Sequence, residues 1–243
     1  MSLVLVTRTG KSGEQLTEAL LEQNIESWHV PTLEIKAEEI LVPVEDFQQA
    51  IFISPNAVKF SVAKSQVLKD MLPKEVIAVG QGTAFLLKAA GFEKVRIPSQ
   101  FNSEGLLELP ELQSIKGQQI IIVKGRGGRT YLAEQLTKRG AICHYLDTYC
   151  RVSTKIVHPS WSEFLSSEQK SMVTIASVDT LEALNFNLGK GFNFDRLTLI
   201  VASQRIKESA LLFGYSNIVV AKSASNSDMQ TAIIELLDVQ DKR

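Results

Sequence analysis

The chain carries the same succession of segments twice. LVLVTRTGKSGEQLTEALLEQNIESWHVP, AIFISPNAVKF and VIAVGQGTAFLLKAAGFEKVRIP are followed by IIIVKGRGGRTYLAEQLTKRGAICHYLDTY, SMVTIASVDTLEAL and LIVASQRIKESALLFGYSNIVVA. The registers hold almost throughout. Leu16 and Leu20 map onto Leu132 and Leu136, Ser54 onto Ser177, Gly80 onto Ser203, and Gly91 onto Gly214. Each copy therefore supplies three units, A, B and C, each opening on an apolar run and continuing into a helical pattern. A period of more than about a hundred residues marks domain duplication and not a solenoid. Two similar domains facing each other are expected to make a cleft, the usual place for a ligand.

The 243 residues accommodate two domains of ordinary size, each able to bury its own core. With 44% hydrophobic residues and 22% charged ones, the composition is that of a soluble globular protein. The net charge of −1 gives no global field for nucleic acid or a membrane surface, so neither is an expected partner. MSLVLVTRTG reads directly as a strand, without the basic and apolar regions of a secretion signal. No apolar run approaches the roughly 18 residues of a membrane span. Cys143 and Cys150 are the only cysteines, seven apart on a predicted strand, which argues against a disulfide framework. A cytoplasmic location is expected.

The runs Leu3 to Val6, Ile51 to Ile53, Val76 to Val79, Ile120 to Val123, Met172 to Ile175 and Leu197 to Ala202 are short and continuously apolar. Strands covered on both faces of a parallel sheet read this way. Helical patterns follow, with Leu16, Leu20 and Leu21 in one and Leu132 and Leu136 in another. Gly91 and Gly214 are expected as helix-ending glycines, and a further helix is expected at Ser103 to Leu109. Alternating strand and helix predicts α/β domains with parallel sheets.

Two joins are long and stand at equivalent places, Thr32 to Gln49 and Cys150 to Lys170. They suggest that the chain crosses between domains there. Residues 1–32 and 153–243 are then expected in one domain and 38–146 in the other, with 33–37 and 147–152 as a two-stranded linker.

Several familiar motifs fail. Gly10-Lys11-Ser12 lacks the first glycine of a phosphate loop, since position 5 is Leu5. Gly125-Arg126-Gly127-Gly128 is not completed, since position 130 is Thr130. There is no G-x-S-x-G elbow. His29, His144 and His158 have no partner at metal-ligand spacing, so no metal is expected. Trp28 and Trp161 read as packing residues.

What remains is a set of strand-to-helix turns rich in small hydroxyl and amide residues. They are Thr7-Arg8-Thr9-Gly10, Ser54-Pro55-Asn56-Ala57, Gly80-Gln81-Gly82-Thr83-Ala84, Lys124 to Arg129, Ser177-Val178-Asp179-Thr180 and Ser203-Gln204-Arg205. Such turns lie at the carboxyl ends of parallel strands, where ligands sit. Free N–H groups and the helix dipole attract carboxylates or phosphates there. Ordinary helix capping explains any single one of them. All six together, with Arg8, Lys124, Arg126, Arg129 and Arg205 beside them in a nearly neutral chain, point to an anionic ligand.

The ordered combination of VLVTR, FISPNAV, AVGQGTAFLLKAAGF, NSEGLL, IIVKGRGGRTYLAEQLTKRGA, LDTYCR and IVASQRIKESALLFGYSNIVVAKSASNSDMQTAI resembles the uroporphyrinogen-III synthases over nearly the full length. The resemblance implies two α/β domains joined by a two-stranded linker, the middle of the chain forming one of them. It implies a cofactor-free cyclising lyase of tetrapyrrole (haem) biosynthesis, acting on a small-molecule substrate, hydroxymethylbilane, a linear tetrapyrrole with eight carboxylates. The terminal hydroxyl leaves as water, the last pyrrole is inverted through a spiro intermediate, and the macrocycle closes to uroporphyrinogen III. Tyr149 matches the tyrosine that the family suggests as the acid. Ser54, Asn56, Thr83, Ser103, Ser177 and Ser203 fall at the family's substrate-facing turns, with Arg8, Gly82, Lys124, Arg126 and Arg205 as further binding candidates. The turn at Ser203-Gln204-Arg205 departs from some relatives in lacking threonines. No cofactor and no metal are implied, and a monomer is expected. The alternatives are a non-catalytic cytoplasmic two-domain binder of an anionic ligand and a nucleotide-dependent transferase.

Overall fold

The structure, a computed structural model, describes residues 3–41 and 45–241; residues 42–44, within the first long join, and the extreme termini lie outside the described residues. In chain order the first elements are β1 (Leu3–Val6), α1 (Gly10–Leu21), β2 (Ser27–His29), β3 (Leu33–Ala37), β4 (Gln49–Phe52), α2 (Pro55–Lys59), α3 (Gln66–Asp70), β5 (Glu75–Ala78), α4 (Gln81–Ala89) and β6 (Lys94–Arg96). There follow α5 (Ser103–Leu107), β7 (Gln119–Gly125), α6 (Tyr131–Lys138), β8 (Ile142–Ser153), α7 (Trp161–Ser166), β9 (Ser171–Ile175), α8 (Val178–Leu188), β10 (Leu197–Val201), α9 (Gln204–Leu212), β11 (Asn217–Val220) and α10 (Asn226–Asp241).

The chain divides into two compact units, Met1–Glu34 with Val152–Arg243, and Ile35–Arg151. The first holds a five-stranded sheet in the order β11-β10-β9-β1-β2, parallel throughout. The second sheet runs β3-β8-β7-β4-β5-β6, and its strands from β8 to β6 are parallel. The division falls inside β3 and β8, the two strands that carry the chain from one unit to the other.

Read from β2 and from β8, the two sheets have the same order. In each, the A unit of one sequence copy pairs with the B and C units of the other: β1 lies beside β9, and β7 beside β4. The duplication is thus reciprocally assembled.

The apolar runs are continuous because each strand serves two cores at once. Leu3 and Leu5 of β1 enter one buried cluster, whereas Val4 and Val6 enter the cluster on the opposite face. In β7, Ile121 and Val123 likewise face away from Ile120 and Ile122. Helices begin where a side chain replaces the missing backbone acceptor. Ser54 Oγ accepts the Ala57 N–H, Ser177 Oγ that of Thr180, and Ser203 Oγ that of Ile206. Gly91 at φ +87° and Gly214 at φ +93° end α4 and α9. The N–H groups of Phe92 and Tyr215 return to the carbonyls of Leu87 and Ala210, both at 3.1 Å.

Two local expectations are corrected. Leu21 is 52% exposed, so the buried stripe of α1 runs through Leu16 and Leu20 without it. The helix from Ser103 stops at Leu107, because Pro110 drives Leu109 to ψ 135°, outside the helical region. The tryptophans pack as expected: Trp28 stacks on His158 at 4.1 Å, and Trp161 on Phe164 at 5.1 Å.

Candidate active site

Tyr149 sits late in β8, paired with Gly125 at the end of β7. Its ring is buried to 3% exposure in the cluster that includes Ala57, Val58, Val123 and Leu146. Phe60 lies 5.9 Å from it, and the Arg151 guanidinium 5.7 Å above it. The phenol oxygen reaches the Ser54 hydroxyl at 3.0 Å. Ser54 in turn accepts the Ala57 N–H at 3.0 Å, so one of its lone pairs is committed to capping α2.

Gly125 is what admits the ring. A Cβ on this residue would lie 2.5 Å from Tyr149 Cε2 and Cζ, well inside contact distance. The β7–β8 register also slips between Lys124 and Gly125, and the Arg126 N–H closes on the Tyr149 carbonyl at 2.7 Å. A bulge of this kind re-aims a side chain at the end of a strand.

The other candidates in this unit lie along the same carboxyl edge, after β4, β5, β6 and β7. Asn56 is half-buried in the first turn of α2. Gly80 heads α4 without a capping side chain, and the Phe101 ring lies 3.2 Å from where a Cβ would stand. Gly82 is exposed there, whereas Thr83 is only 2% exposed. The Thr83 side chain is therefore withdrawn from solvent. Ser103 is half-buried at the first residue of α5, and Asn102 does the capping, accepting the Gly105 N–H at 2.7 Å. Lys124 is buried at the end of β7. Arg126 is exposed and pairs with Glu38 at 2.6 Å, and Arg129 pairs with Glu104 at 3.1 Å.

In the first unit, Ser177 and Ser203 cap α8 and α9 at the carboxyl ends of β9 and β10. The Ser177 hydroxyl is also 2.9 Å from that of Thr180. Arg205 is exposed beside Ser203. Arg8 is less available than its place after β1 suggests. Its guanidinium donates to Asn226 Oδ1 at 2.8 Å, to Ser12 Oγ at 3.1 Å and to the Ala224 carbonyl. Burial among these neutral acceptors lowers its pKa from the ordinary arginine value. It ties β1 to the start of α10.

Sequence reasoning passed over three features. Asn102 was hidden by Ser103 beside it. Gly125 belongs to a glycine cluster that reads as a failed nucleotide motif, and its contact with Tyr149 is tertiary. The third is a hydroxyl-rich turn after β11, where Asp228 accepts from Ser223 and its N–H donates to Ser225 Oγ at 3.1 Å. Ser225 and Asp228 form the Ser-x-x-acid spacing that announces a helix start.

The model of the family described as uroporphyrinogen-III synthase HemD matches residues 14–230. The chain belongs to the uroporphyrinogen-III synthase family. It is 28% identical over 243 residues to the uroporphyrinogen-III synthase of Escherichia coli K12, covering 95% of this chain and 99% of that one. The enzyme of Salmonella typhimurium LT2 is likewise 28% identical, over 245 residues and the same shares. The fold is that of uroporphyrinogen-III synthetase from Helicobacter pylori 26695, with a TM-score of 0.67 at 16% identity over 97% of this chain and 99% of that one. A mutant uroporphyrinogen III synthase of Thermus thermophilus gives 0.58 at 14% identity, with both chains fully covered. The parallel α/β reading and the assignment to a cyclising lyase of tetrapyrrole synthesis both agree with these matches. No helix among the described residues is long and apolar enough to cross a membrane.

Proposed function

We propose that this chain converts hydroxymethylbilane to uroporphyrinogen III, with Tyr149 as the acid that assists departure of the terminal hydroxyl. The observation that carries the residue assignment is the Tyr149–Ser54 contact of 3.0 Å at the carboxyl edge of a parallel sheet. With the ring fixed against Gly125, the hydroxyl is the reactive end of an immobile side chain. When Ser54 donates its own hydrogen to the phenol oxygen, the phenol proton is left for the substrate, and the tyrosinate formed keeps one hydrogen bond. As the C–O bond breaks, the hydroxyl leaves as water with that proton. The electron-rich pyrrole carries the resulting cation as an azafulvenium, and the substituted ring carbon of the last pyrrole attacks it to give the spiro intermediate. The older methylene bond of that intermediate breaks and re-forms at the free ring carbon, and the proton lost from that carbon replaces the one given by Tyr149.

Strand-to-helix turns are the binding candidates for the substrate's carboxylates. Ser54, Asn56, Gly82, Thr83 and Ser103 lie in one unit; Ser177, Ser203 and Arg205 lie in the other. Their contribution is mostly backbone N–H, a donor that suits a polyanion without demanding fixed basic residues. Holding a flexible bilane so that its ends meet supplies much of the rate, since orientation removes a large entropic barrier. Residues 33–37 and 147–152 are the linker in this reading, and the enzyme works as a cytoplasmic monomer without cofactor. Arg8 is withdrawn from direct substrate contact by its bonds to Ser12, Ala224 and Asn226.

The test is to supply hydroxymethylbilane enzymatically to dialysed, chelator-treated protein and resolve the porphyrin isomers after oxidation. Isomer III is expected. Isomer I alone, or a strict requirement for added metal or nucleotide, contradicts the proposal.

A further inference from the structure

Lys124 is only 6% exposed, and no carboxylate among the described residues forms an ion pair with its ammonium. Its Nζ lies 4.5 Å above the Tyr145 ring. Removing a cation from water is costly, and an aromatic face returns only part of the loss. The position equivalent to Lys124 in the other sequence copy is Arg8, since Val6 pairs with Thr174 as Ile122 pairs with Ile51. The Arg8 guanidinium donates to Asn226 Oδ1 at 2.8 Å, to Ser12 Oγ at 3.1 Å and to the Ala224 carbonyl. One sheet thus satisfies its cation at this position with neutral acceptors. The other places a buried ammonium there, and Asp147, its register partner on β8, makes no ion pair with it although its own Oδ1 is buried without a partner.

Beside the ammonium is a cavity of about 210 Å³, wholly within the second unit. Ile122, Leu132 and Ala133 give it apolar walls, and Ser103, Lys124 and Tyr145 bring polar groups to it. Arg129 also borders the cavity, but its guanidinium is held by Glu104 at 3.1 Å. The combination is an apolar sleeve with a buried positive charge.

We infer that this cavity receives one short carboxyalkyl arm of the bound polycarboxylate, its methylenes against Ile122, Leu132 and Ala133 and its carboxylate on the Lys124 ammonium. The inference rests on the proposed substrate. It assigns one arm to a single buried ion pair, whereas the turns meet the other carboxylates with N–H groups. A buried charge-assisted contact discriminates more sharply than exposed ones, because water does not compete for it.

Two measurements test it. In protein labelled with ¹³C-lysine, the Lys124 Cε resonance, assigned by its loss in Lys124→Met, is followed while sodium propionate is added against sodium chloride of equal ionic strength. A saturable shift with propionate alone is expected; no shift overturns the inference. In steady-state assays, Lys124→Met should raise KM for hydroxymethylbilane roughly ten- to a hundredfold, the range for losing a hydrogen bond to a charged group, with kcat little changed. Ala133→Leu, which fills the cavity from α6 and leaves Lys124 in place, should do the same. A wild-type KM in either folded variant refutes the inference. If the wild-type protein yields only isomer I, the functional reading fails, and the propionate titration still decides the cavity.

Discussion

The Ser54 hydroxyl stands 3.0 Å from the Tyr149 phenol while accepting the Ala57 N–H at the same distance, so one side chain both starts α2 and fixes the candidate acid. Ser54→Ala removes both contacts. It should cost about 1 kcal/mol of stability through the lost cap. It should also slow turnover by up to about tenfold, the worth of one hydrogen bond to a group that itself remains. Denaturant midpoints and initial rates on the same preparation separate the two effects. An unchanged rate in a variant that shows the stability loss would remove Ser54 from the catalytic account.

Gly125→Ala places a methyl group 2.5 Å from the Tyr149 ring, in a strand end that cannot move far without breaking the Arg126–Tyr149 backbone bond. Overpacking of this kind costs about 1–3 kcal/mol. The decisive comparison is a double-mutant cycle. In a Tyr149→Ala background the added methyl has room, so most of the cost of Gly125→Ala should vanish. Equal costs in both backgrounds would mean that Gly125 is required for another reason.

The helix after β6 distinguishes the capping residue from its neighbour. Asn102→Ala should lower stability by about 1 kcal/mol, because its side chain holds the Gly105 N–H at 2.7 Å. Ser103→Ala should leave stability nearly unchanged and act only on substrate affinity. Thermal melts of the two variants check this, and the reverse order would contradict the capping assignment.

His158 lies stacked on Trp28, and burial lowers its pKa below the ordinary histidine value. A depressed folded value means that the unfolded chain binds the proton more readily. Stability from this group is therefore fully present above about pH 6.5, the unfolded value, and is lost as pH falls through the lower folded one. His158→Phe keeps the stack without the titration. Urea midpoints at pH 7 and pH 5 should fall more in the wild type than in the variant, and parallel falls would show that His158 does not contribute.

The strands were legible because parallel sheets covered on both faces demand unbroken apolar runs, and β1, β7, β9 and β10 are such runs. Gly91 and Gly214 were legible because a helix end at positive φ selects glycine. The reciprocal pairing of β1 with β9 and of β7 with β4 was not written in any local pattern; only the two long joins hinted at the crossings. The capping serines could be found from composition, but not which groups already had partners. Arg8 looked free and is bound to Asn226, whereas Lys124 looked like any turn lysine and is a buried cation. Thr83 looked like a hydroxyl donor and is buried, and the Gly125–Tyr149 contact joins residues of two strands. Burial and partnership are tertiary properties, which is why the site was harder to read than the fold.

The assignment of Tyr149 is tested most directly by Tyr149→Phe, which keeps the ring against Gly125 and removes only the hydroxyl. With hydroxymethylbilane supplied enzymatically, the rate of uroporphyrinogen III formation should fall by about 10² to 10⁴, the span for losing a general acid. Isomer I should then accumulate as substrate escapes to spontaneous closure. A folded Tyr149→Phe protein that makes isomer III at the wild-type rate would contradict the account.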